Sequence, residues 1–573
     1  MNKQPVGAMK NQWVIKPAPQ NDTVRLLMDE VNLPKALAVI LAQRGIDSFD
    51  SAKEFFRPSL NGLHDPYLMK DMDKAVNRVL EAIEKNENIL IYGDYDVDGT
   101  TSVAMMYDFL SSVYPHISYY IPDRYNEGYG ISIAGIDHAK ENSFSLVIAL
   151  DCGIKAVDKI EYANEKGIDF IICDHHLPGY KLPEAVAVLD PKQPDCEYPF
   201  KELSGCGVGF KLIQALAPKL GIDHKELFSY LDLLVVSIAA DIVSITGENR
   251  IFAQYGIKEL QNSPRPGLKG LLGEQAENVD ISNIVFNIAP KINATGRLEH
   301  ARQSVELLIS KDEDSIKKIA SEIAELNTQR KETDGNVTQE AIQQIKENQE
   351  EARYTTVVFS PGWHKGVLGI VASRLIDTYY RPTLVLTEGK EGEISGSARS
   401  IKDFDIYEII DSCSDLLSRY GGHRFAAGLS MPKENFQLFK DKFEALVKEK
   451  IRPAQRIPSI EIDTEIGFSE ITDSFLRILK QMKPFGPGNM SPVFLTENLI
   501  GGNVTEMGKT GEHLRMDLMD SNQIKFSATG FGMGKFAEDF KYRKFDLVYS
   551  IRENHWKGNS FLQFNIQDVK FKE

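Results

Sequence analysis

The chain has 573 residues, of which 42% are hydrophobic and 26% are charged, a composition typical of globular proteins rather than disordered or fibrous ones. Because one hydrophobic core cannot extend over this length, we expect roughly three or four domains. The formal net charge of -16 argues against a protein that coats nucleic acid through its overall charge. It leaves open a local basic surface, or cations held by acidic clusters.

The sequence predicts a cytoplasmic location. No apolar run reaches membrane-spanning length, and no signal-like segment follows Met1, so we expect no membrane partner. The five cysteines are odd in number and lack C-x-x-C spacing, which argues against a disulfide framework or a structural zinc site. We expect them to be small buried hydrophobic residues.

Residues 1–75 carry a helical pattern around Leu33, Leu37 and Ile40, and we predict a helical preface packed on the next domain. From residue 76 to about 310, short apolar runs alternate with helical patterns, which predicts a doubly wound α/β domain with a parallel sheet. The predicted strands are 89–92, 119–121, 146–150, 170–173 and 186–189.

Acidic residues follow several of these strands. Asp94, Asp96 and Asp98 come after the first strand, where they alternate along an extended backbone before a helix that Thr100 to Ser102 can cap. Other polar groups in equivalent places are Asp151 after the third strand, Asp174, His175 and His176 after the fourth, and Asp241 at the end of the apolar helix 227–240. In open parallel sheets ligands bind at this edge, so we expect these side chains to lie close together.

Carboxylates and an imidazole without thiolates favour manganese or magnesium over zinc. Two such ions sharing carboxylates are suited to hydrolysis of phosphoesters. Each residue also has a structural alternative: the Asp-rich stretch as a solvated turn, Asp174 as a helix cap, and His176 as a core histidine.

Four of these segments resemble the motifs of the DHH phosphoesterase superfamily: Gly93–Gly99, Leu150–Gly153, Asp174–His176 and Ala239–Asp241. Within that superfamily the chain resembles the RecJ family of single-stranded-DNA-specific exonucleases. The blocks that carry this second resemblance are Pro290–Arg297, Gly362–Gly369, Gly396–Ser400 and Gly421–Gly428. One departure is Thr295, where a smaller residue such as Ala is more usual.

The resemblance implies a catalytic cluster for two Mn²⁺ or Mg²⁺ ions, with His176 beside it as a partner for phosphate or as a residue that supports one of the metal ligands. The implied metal ligands are Asp94, Asp96, Asp98, Asp151, His175 and Asp241. It further implies that basic and hydroxyl groups hold the terminal 5′ phosphate of the substrate; the matching positions are Arg124, Arg297, Ser397 and Arg399. With Arg399, His423 adds a donor to a phosphate-facing wall formed by the Gly-rich blocks. The alternative for Arg124 and Arg297 is a structural ion pair with a nearby acid.

Three further segments follow the α/β domain of residues 76–310, which we call the metal domain. Residues 311–353 predict a long helical connector, and residues 354–452 predict a second α/β unit that resembles the DHH-associated domain. Its Gly-rich blocks suit either a phosphate-facing wall or tight strand turns. Residues 453–573 predict short strands, which the resemblance identifies as an OB-fold barrel. Its candidates for gripping a single strand are Lys525, Phe526, Phe531, Lys535, Arg543, Trp556 and Lys557.

The resemblance implies a 5′-to-3′ exonuclease specific for single-stranded DNA, acting by two metal ions in DNA repair and recombination. One alternative is a phosphodiesterase for short oligonucleotides or cyclic dinucleotides, for which we expect no barrel. Another is a replication scaffold with an inactive domain, for which we expect the metal acids to be missing. Besides single-stranded DNA, the resemblance raises a single-strand DNA-binding protein and repair helicases as partners.

Overall fold

A computed structural model of the protein describes residues 11–273, 278–389, 392–556 and 559–572, without the side chains of 554–560. The chain divides into two compact units. The larger unit contains Trp13–Ala289 and Ile460–Glu573, and the smaller contains Pro290–Ser459 with the segment up to Gln12. No helix of the described residues is long and apolar enough to cross a membrane.

The N-terminal region is helical and contacts the next domain, as predicted: the His64 amide donates to Glu248, and Arg250 donates to the Phe55 carbonyl. Its apolar stripes, which include Leu37 and Ile40, are buried in one core with Phe475 and Phe494 of the C-terminal region. The preface therefore packs on the barrel as well, a contact between distant parts of the chain that no local pattern encodes. Its elements are β1 (Gln12–Ile15), α1 (Asn21–Glu30), α2 (Lys35–Gln43) and α3 (Phe49–Phe56), and α4 (Met72–Glu84) follows.

The metal domain is built on a five-stranded parallel sheet whose strand order is β3-β2-β4-β5-β6. The chain leaves β2 on one side and returns on the other, so the switch point lies between β2 and β4, where an open sheet binds its ligand. The strands are β2 (Asn88–Gly93), β3 (Ile117–Tyr120), β4 (Phe144–Leu150), β5 (Asp169–Cys173) and β6 (Ala187–Leu189); the helices are α5 (Val97–Ser111), α6 (Ile133–Glu141), α7 (Val157–Glu165) and α8 (Gly205–Leu216).

Further helices follow the sheet. Helix α9 (Leu231–Ala240) is buried along nearly its whole length, and the turn before it, His224–Tyr230, is a 3₁₀-helix rather than the α-helical start that we predicted. The other elements are α10 (Gly247–Asn262), α11 (Pro266–Leu272), α12 (Ile281–Asn283) and the π-helical segment Ile284–Ile288.

The smaller unit holds the predicted connector and second α/β sheet. Its sheet has the order β10-β11-β9-β8-β7, in which β7 and β8 are parallel and the other pairs antiparallel. The elements are α13 (Ala289–Leu298), α14 (Arg302–Ile309), α15 (Glu313–Glu347), β7 (Thr356–Phe359), α16 (Leu368–Tyr379), β8 (Thr383–Glu388), β9 (Ile394–Arg399), α17 (Ile406–Asp411), β10 (Arg419–His423), β11 (Ala426–Met431) and α18 (Phe436–Lys450).

The C-terminal region is a closed barrel of five strands, as an OB-fold requires. Strand β14 pairs with both β15 and β17, and β16 and β18 complete the ring. The region is built of strands, as predicted, although β14 with 15 residues is long rather than short. The elements are β12 (Ser459–Ile462), which pairs with β1, β13 (Thr464–Glu465), α19 (Asp473–Gln481), β14 (Val493–Met507), β15 (His513–Met519), β16 (Lys525–Gly530), α20 (Ala537–Tyr542), β17 (Phe545–Trp556) and β18 (Asn559–Phe571).

Within the larger unit, Arg250 connects the metal domain to the C-terminal region. Its guanidinium lies 3.8 Å from the centre of the Phe55 ring and donates to the carbonyls of Met482 and Lys483 at 3.2 and 3.1 Å. The Ile245 amide also donates to the Pro487 carbonyl at 2.7 Å. The C-terminal region therefore supports the segment that directly follows Asp241.

Candidate active site

The three acids after β2 do not share an extended backbone. Asp96 is the N-cap of α5 and accepts a hydrogen bond from the Gly99 amide at 3.0 Å, whereas Asp98 lies in the first helical turn. The predicted cap at Thr100 to Ser102 is wrong, because Asp96 is at least as good a cap and starts the helix earlier. The hydroxyls of Thr101 and Ser102 instead donate to carbonyls one turn back.

The Asp98 carboxylate is fixed by the N-terminus of α8. It accepts hydrogen bonds from the amides of Gly205 and Cys206 at 2.7 and 2.8 Å, and from the Ser237 hydroxyl at 2.7 Å. Amides at a helix N-terminus stabilise negative charge. The Asp98 carboxylate is therefore held in a fixed orientation although it is buried.

His175 brings acids from three elements together. Its Nε2 lies 3.2 Å from Oδ1 of Asp151, 3.5 Å from Oδ2 of Asp241 and 3.8 Å from Oδ2 of Asp98. Asp151 has a positive φ of 60°, and a Cβ on Gly205 would lie only 2.6 Å from its Cβ. Glycine at position 205 therefore lets α8 begin directly against Asp151.

The buried acids repel one another. Burial, followed by the charges of Asp98 and Asp96, raises the pKa of Asp151 well above its ordinary value. The same causes raise the pKa of Asp241 to about 8, and burial with the neighbouring Asp96 raises the pKa of Asp94. A bound cation would reverse these shifts, since it compensates the charge that burial and repulsion disfavour.

His176 and Asp174 form a second pair beside this cluster. Burial opposes the ionisation of Asp174, but the hydrogen bond and charge of His176, together with a hydrogen bond from the Ile154 amide, lower its pKa to about 2. Its Oδ1 lies 2.8 Å from Nδ1 of His176 and accepts from the amides of His175 and His176. No helix begins in residues 174–180, so the alternative of a helix cap is wrong for Asp174. The alternative of a core histidine is wrong for His176, whose side chain is 43% exposed.

Three residues at this edge were not anticipated. Tyr129 donates from its hydroxyl to the Asp151 carbonyl at 3.1 Å and lies 3.3 Å from Nε2 of His176. Asp190 and Lys192 follow β6, and they would have been found by considering the polar residues after this strand, as was done for the other strands. Burial raises the pKa of Asp190 to about 7, while the charge of Lys192 opposes the raised pKa of Asp241. Tyr129 lies in a loop and has no comparable signal.

Arg124 is the predicted phosphate-binding residue of the larger unit. Its guanidinium lies 4.8 Å from the centre of the Tyr95 ring. Among the described residues it forms no ion pair, so the structural alternative is not supported for this arginine. Its charge does favour ionisation of Asp94, against the larger effect of burial.

The other predicted phosphate-binding residues lie in the smaller unit. Nη1 of Arg399 donates to Oγ of Ser397 at 2.9 Å, and a Cβ on Gly369 would lie 2.8 Å from Nη2 of Arg399. Both side chains thus lie against the first turn of α16. Arg297 donates to the Gly366 carbonyl at 3.0 Å, just before that helix, and His423 is in register with Arg399 through the strand between them.

The barrel candidates divide into core and surface residues. Phe526 is partly buried and stacks on Phe564, so it belongs to the core. Phe531 is 64% exposed, and Lys525, Lys535 and Arg543 are also exposed. Lys557 and the side chain of Trp556 lie outside the described residues. The five cysteines are buried and unpaired with one another, as predicted.

Comparison with known families and proteins gives matches over most of the chain. Residues 88–238 match the DHH family, N-terminal domain; residues 351–449 match the DHHA1 domain; residues 462–568 match the RecJ OB domain. The single-stranded-DNA-specific exonuclease RecJ of Bacillus subtilis is 36% identical over 99% of this chain and 72% of its own. The Salmonella typhimurium protein of that name is 30% identical over 98% of this chain and 100% of its own.

A solved structure agrees with these matches. The crystal structure of RecJ from Thermus thermophilus in complex with Mn²⁺ has a TM-score of 0.83 at 26% identity, covering 98% of this chain and 80% of its own. The parallel sheet, the cluster at its switch point and the matched domains define a protein of the DHH family. More specifically, the chain belongs to the RecJ family. The predicted resemblance and fold class are thereby confirmed.

Proposed function

We propose that this chain is a divalent-metal-dependent exonuclease that removes nucleotides from the 5′ end of single-stranded DNA by hydrolysing phosphodiester bonds. The observation that carries the proposal is the convergence of acids and His175 at the switch point in a member of this family. The two relatives described above are named single-stranded-DNA-specific exonucleases, and the solved Thermus thermophilus structure is a complex with Mn²⁺. Roles in DNA repair and recombination belong to the same proposal.

The cluster fits Mn²⁺ or Mg²⁺. Its donors are carboxylate oxygens and an imidazole, which these hard ions accept. Oδ2 of Asp94 and both ring nitrogens of His175 are buried without a hydrogen bond to any described residue, a costly state unless a ligand satisfies them. We assign the ion-binding role to Asp94, Asp96, Asp98, Asp151, His175 and Asp241. When bound, two such ions supply an activated water and neutralise charge on the phosphate.

His176 is proposed to bind the phosphate directly. Asp174 holds its Nδ1, which orients the ring and leaves Nε2 on the side of Tyr129. Although burial works against it, the hydrogen bond and charge of Asp174 raise the pKa of His176 above its ordinary value. A protonated imidazole in this position donates a charge-assisted hydrogen bond to a phosphate oxygen.

Recognition of the 5′ terminus is proposed to depend on arginine. A guanidinium holds a phosphate through paired hydrogen bonds, and a terminal phosphate carries more charge than an internal diester. We assign this role to Arg124 in the larger unit, and to Arg297, Ser397 and Arg399 in the smaller one, with His423 as an additional donor. The support is chemical: the smaller unit's arginines and serine gather at the beginning of α16, where helix amides favour anions.

The barrel is proposed to bind the single strand, with exposed Phe531 as a stacking surface. Its presence disfavours the alternative of a phosphodiesterase for short oligonucleotides or cyclic dinucleotides. The proposal also includes a single-strand DNA-binding protein and repair helicases as partners, and a cytoplasmic location. It includes the domain limits 76–310, 311–353, 354–452 and 453–573 as well.

The test is the product pattern from one DNA strand labelled at either end, incubated with Mn²⁺. We expect the 5′ label to appear at once in mononucleotide, and the 3′ label to give a descending ladder. A duplex of the same sequence should resist, and a cyclic dinucleotide should not be hydrolysed. Early release of the 3′ label would contradict the polarity, and preference for the cyclic dinucleotide would favour the alternative function.

A further inference from the structure

The loop between β3 and α6, residues 121–132, lies against the acidic cluster. Its Tyr129 hydroxyl donates to the Asp151 carbonyl at 3.1 Å and lies 3.3 Å from Nε2 of His176. Its Gly130 amide donates to Oδ1 of Asp94 at 3.2 Å. The same loop carries Arg124. The conformation of this loop therefore determines where the side chains of Arg124 and Tyr129 lie relative to the acidic cluster.

One carboxylate, that of Glu127, ties this loop together. Its Oε1 accepts a hydrogen bond from the Asp123 amide at 2.7 Å. Its Oε2 accepts from the Ser132 hydroxyl at 2.5 Å and from the Tyr120 hydroxyl at 3.0 Å. The three donors belong to the start of the loop, the end of the loop and the strand before it. A single side chain thus joins both ends of the loop to the sheet.

Glu127 also closes the turn that contains Arg124. The amides of Glu127 and Gly128 donate to the Asp123 carbonyl at 2.9 and 3.2 Å, and the Asp123 carboxylate accepts from the amides of Tyr125 and Asn126. Arg124 lies inside this turn, over the Tyr95 ring, which is in turn edge-on to Tyr129 at 6.2 Å. If the Glu127 carboxylate is removed, the ends of the loop lose their common acceptor and this arrangement has less to fix it.

We infer that Glu127 is a positioning residue for recognition of the substrate's 5′-terminal phosphate, acting through Arg124 without touching the substrate. The inference rests on the proposed function, because it requires that Arg124 binds that phosphate. Glu127 is not one of the residues assigned to the metal cluster: within the described part of the chain, its side chain accepts hydrogen bonds from the loop and from β3. Its loss should therefore affect substrate recognition more than turnover.

The experiment compares kcat and KM on one single strand with a 5′ phosphate or a 5′ hydroxyl, for Glu127→Ala, Glu127→Gln, Arg124→Ala and the Glu127→Ala/Arg124→Ala double variant. We expect Glu127→Ala to lower the phosphate-to-hydroxyl ratio of kcat/KM by about tenfold, mainly through KM. Glu127→Gln keeps an acceptor and should recover most of the ratio. The double variant should show the ratio of Arg124→Ala alone, since the glutamate acts through the arginine.

Glu141→Gln, which removes an exposed carboxylate at the end of α6, is the matched control and should leave both substrates unchanged. If Arg124→Ala lowers the phosphate-to-hydroxyl ratio and Glu127→Ala does not, the inference about Glu127 is wrong but the proposed role of Arg124 stands. The same conclusion follows if the double variant lowers the ratio by the product of the two single effects. An unchanged ratio in Arg124→Ala overturns its proposed phosphate role. If Glu127→Ala does not fold, Tyr120→Phe, which removes one donor, should lower the ratio in the same direction, and no change there overturns the inference.

Discussion

Nε2 of His175 lies 3.2 Å from Oδ1 of Asp151, although the two residues follow different strands of the parallel sheet. If these side chains hold a metal ion, both donors are needed, so Asp151→Asn should lower kcat by more than about 100-fold, the upper range for losing even an outer partner of a metal ligand. The fold should persist, because removal of one buried charge relieves repulsion between acids. Turnover at saturating Mn²⁺ and thermal unfolding measure the two effects. Asp158→Asn, an exposed acid at the start of α7, is the control, and retained turnover in Asp151→Asn would contradict the assignment.

The acidic cluster also predicts how stability depends on pH. In the metal-free chain the pKa of Asp241 is raised to about 8 and that of Asp151 is raised as well, so the folded state binds more protons than the unfolded state. Stability of the metal-free chain should therefore fall as pH rises from about 4 to about 8. Bound Mn²⁺ requires ionised carboxylates, so the gain in Tm on adding Mn²⁺ should grow over the same range. A gain that is independent of pH would argue against ion binding by these acids.

Gly205 should be intolerant of even a methyl group. A Cβ there would lie 2.6 Å from the Cβ and 2.8 Å from the backbone Cα of Asp151, so α8 or Asp151 must move. We expect Gly205→Ala to weaken Mn²⁺ binding and activity together, since a misplaced ligand costs on the order of tenfold or more. Gly335→Ala is the control, because nothing lies within 4 Å of a Cβ at that position in α15. That variant should stabilise the helix by up to about 1 kcal/mol with unchanged Mn²⁺ affinity.

The sequence predicted the parallel sheet and the convergence of its acids because both follow from local patterns. A buried strand followed by Asp94 or Asp151 can be predicted from neighbouring residues alone. Because parallel strands end at the same edge of a sheet, these acids are then expected to lie close together. The start of α5 was missed because Asp96 and Thr100 are both good caps and the choice depends on the surrounding packing. The contact of Leu37 with the barrel core was missed because it joins residues far apart in sequence.

Arg399 provides the test of end recognition in the smaller unit. Its loss should cost on the order of 2 kcal/mol in kcat/KM on a 5′-phosphorylated strand, because a hydrogen bond to a charged group is worth roughly 1.5 to 3 kcal/mol. The cost on a 5′-hydroxyl strand should be much smaller. Arg419→Ala, on β10 and exposed, is the matched control. Equal losses of kcat/KM on both strands in Arg399→Ala would mean that this arginine supports the fold or contacts internal phosphates.

The barrel has to be tested by substitution rather than by truncation. Its core is continuous with the N-terminal helices, and Arg250 of the metal domain donates to three carbonyls of the segment 482–484. Removing residues beyond Arg456 would expose apolar side chains and leave a buried guanidinium without these three acceptors. A truncated chain would therefore confuse loss of binding with loss of folding.

Phe531→Ala removes an exposed ring without disturbing that core. If bases stack on this ring, the substitution should weaken binding of a long single strand by about 1 to 3 kcal/mol, the usual contribution of one base on one aromatic side chain. The salt dependence of binding should hardly change, since no phosphate contact is lost. Fluorescence anisotropy over a range of salt concentrations measures both quantities. Phe49→Ala, an exposed aromatic residue at the start of α3, is the control. Equal affinity of Phe531→Ala and the unaltered chain would show that the strand crosses another face of the barrel.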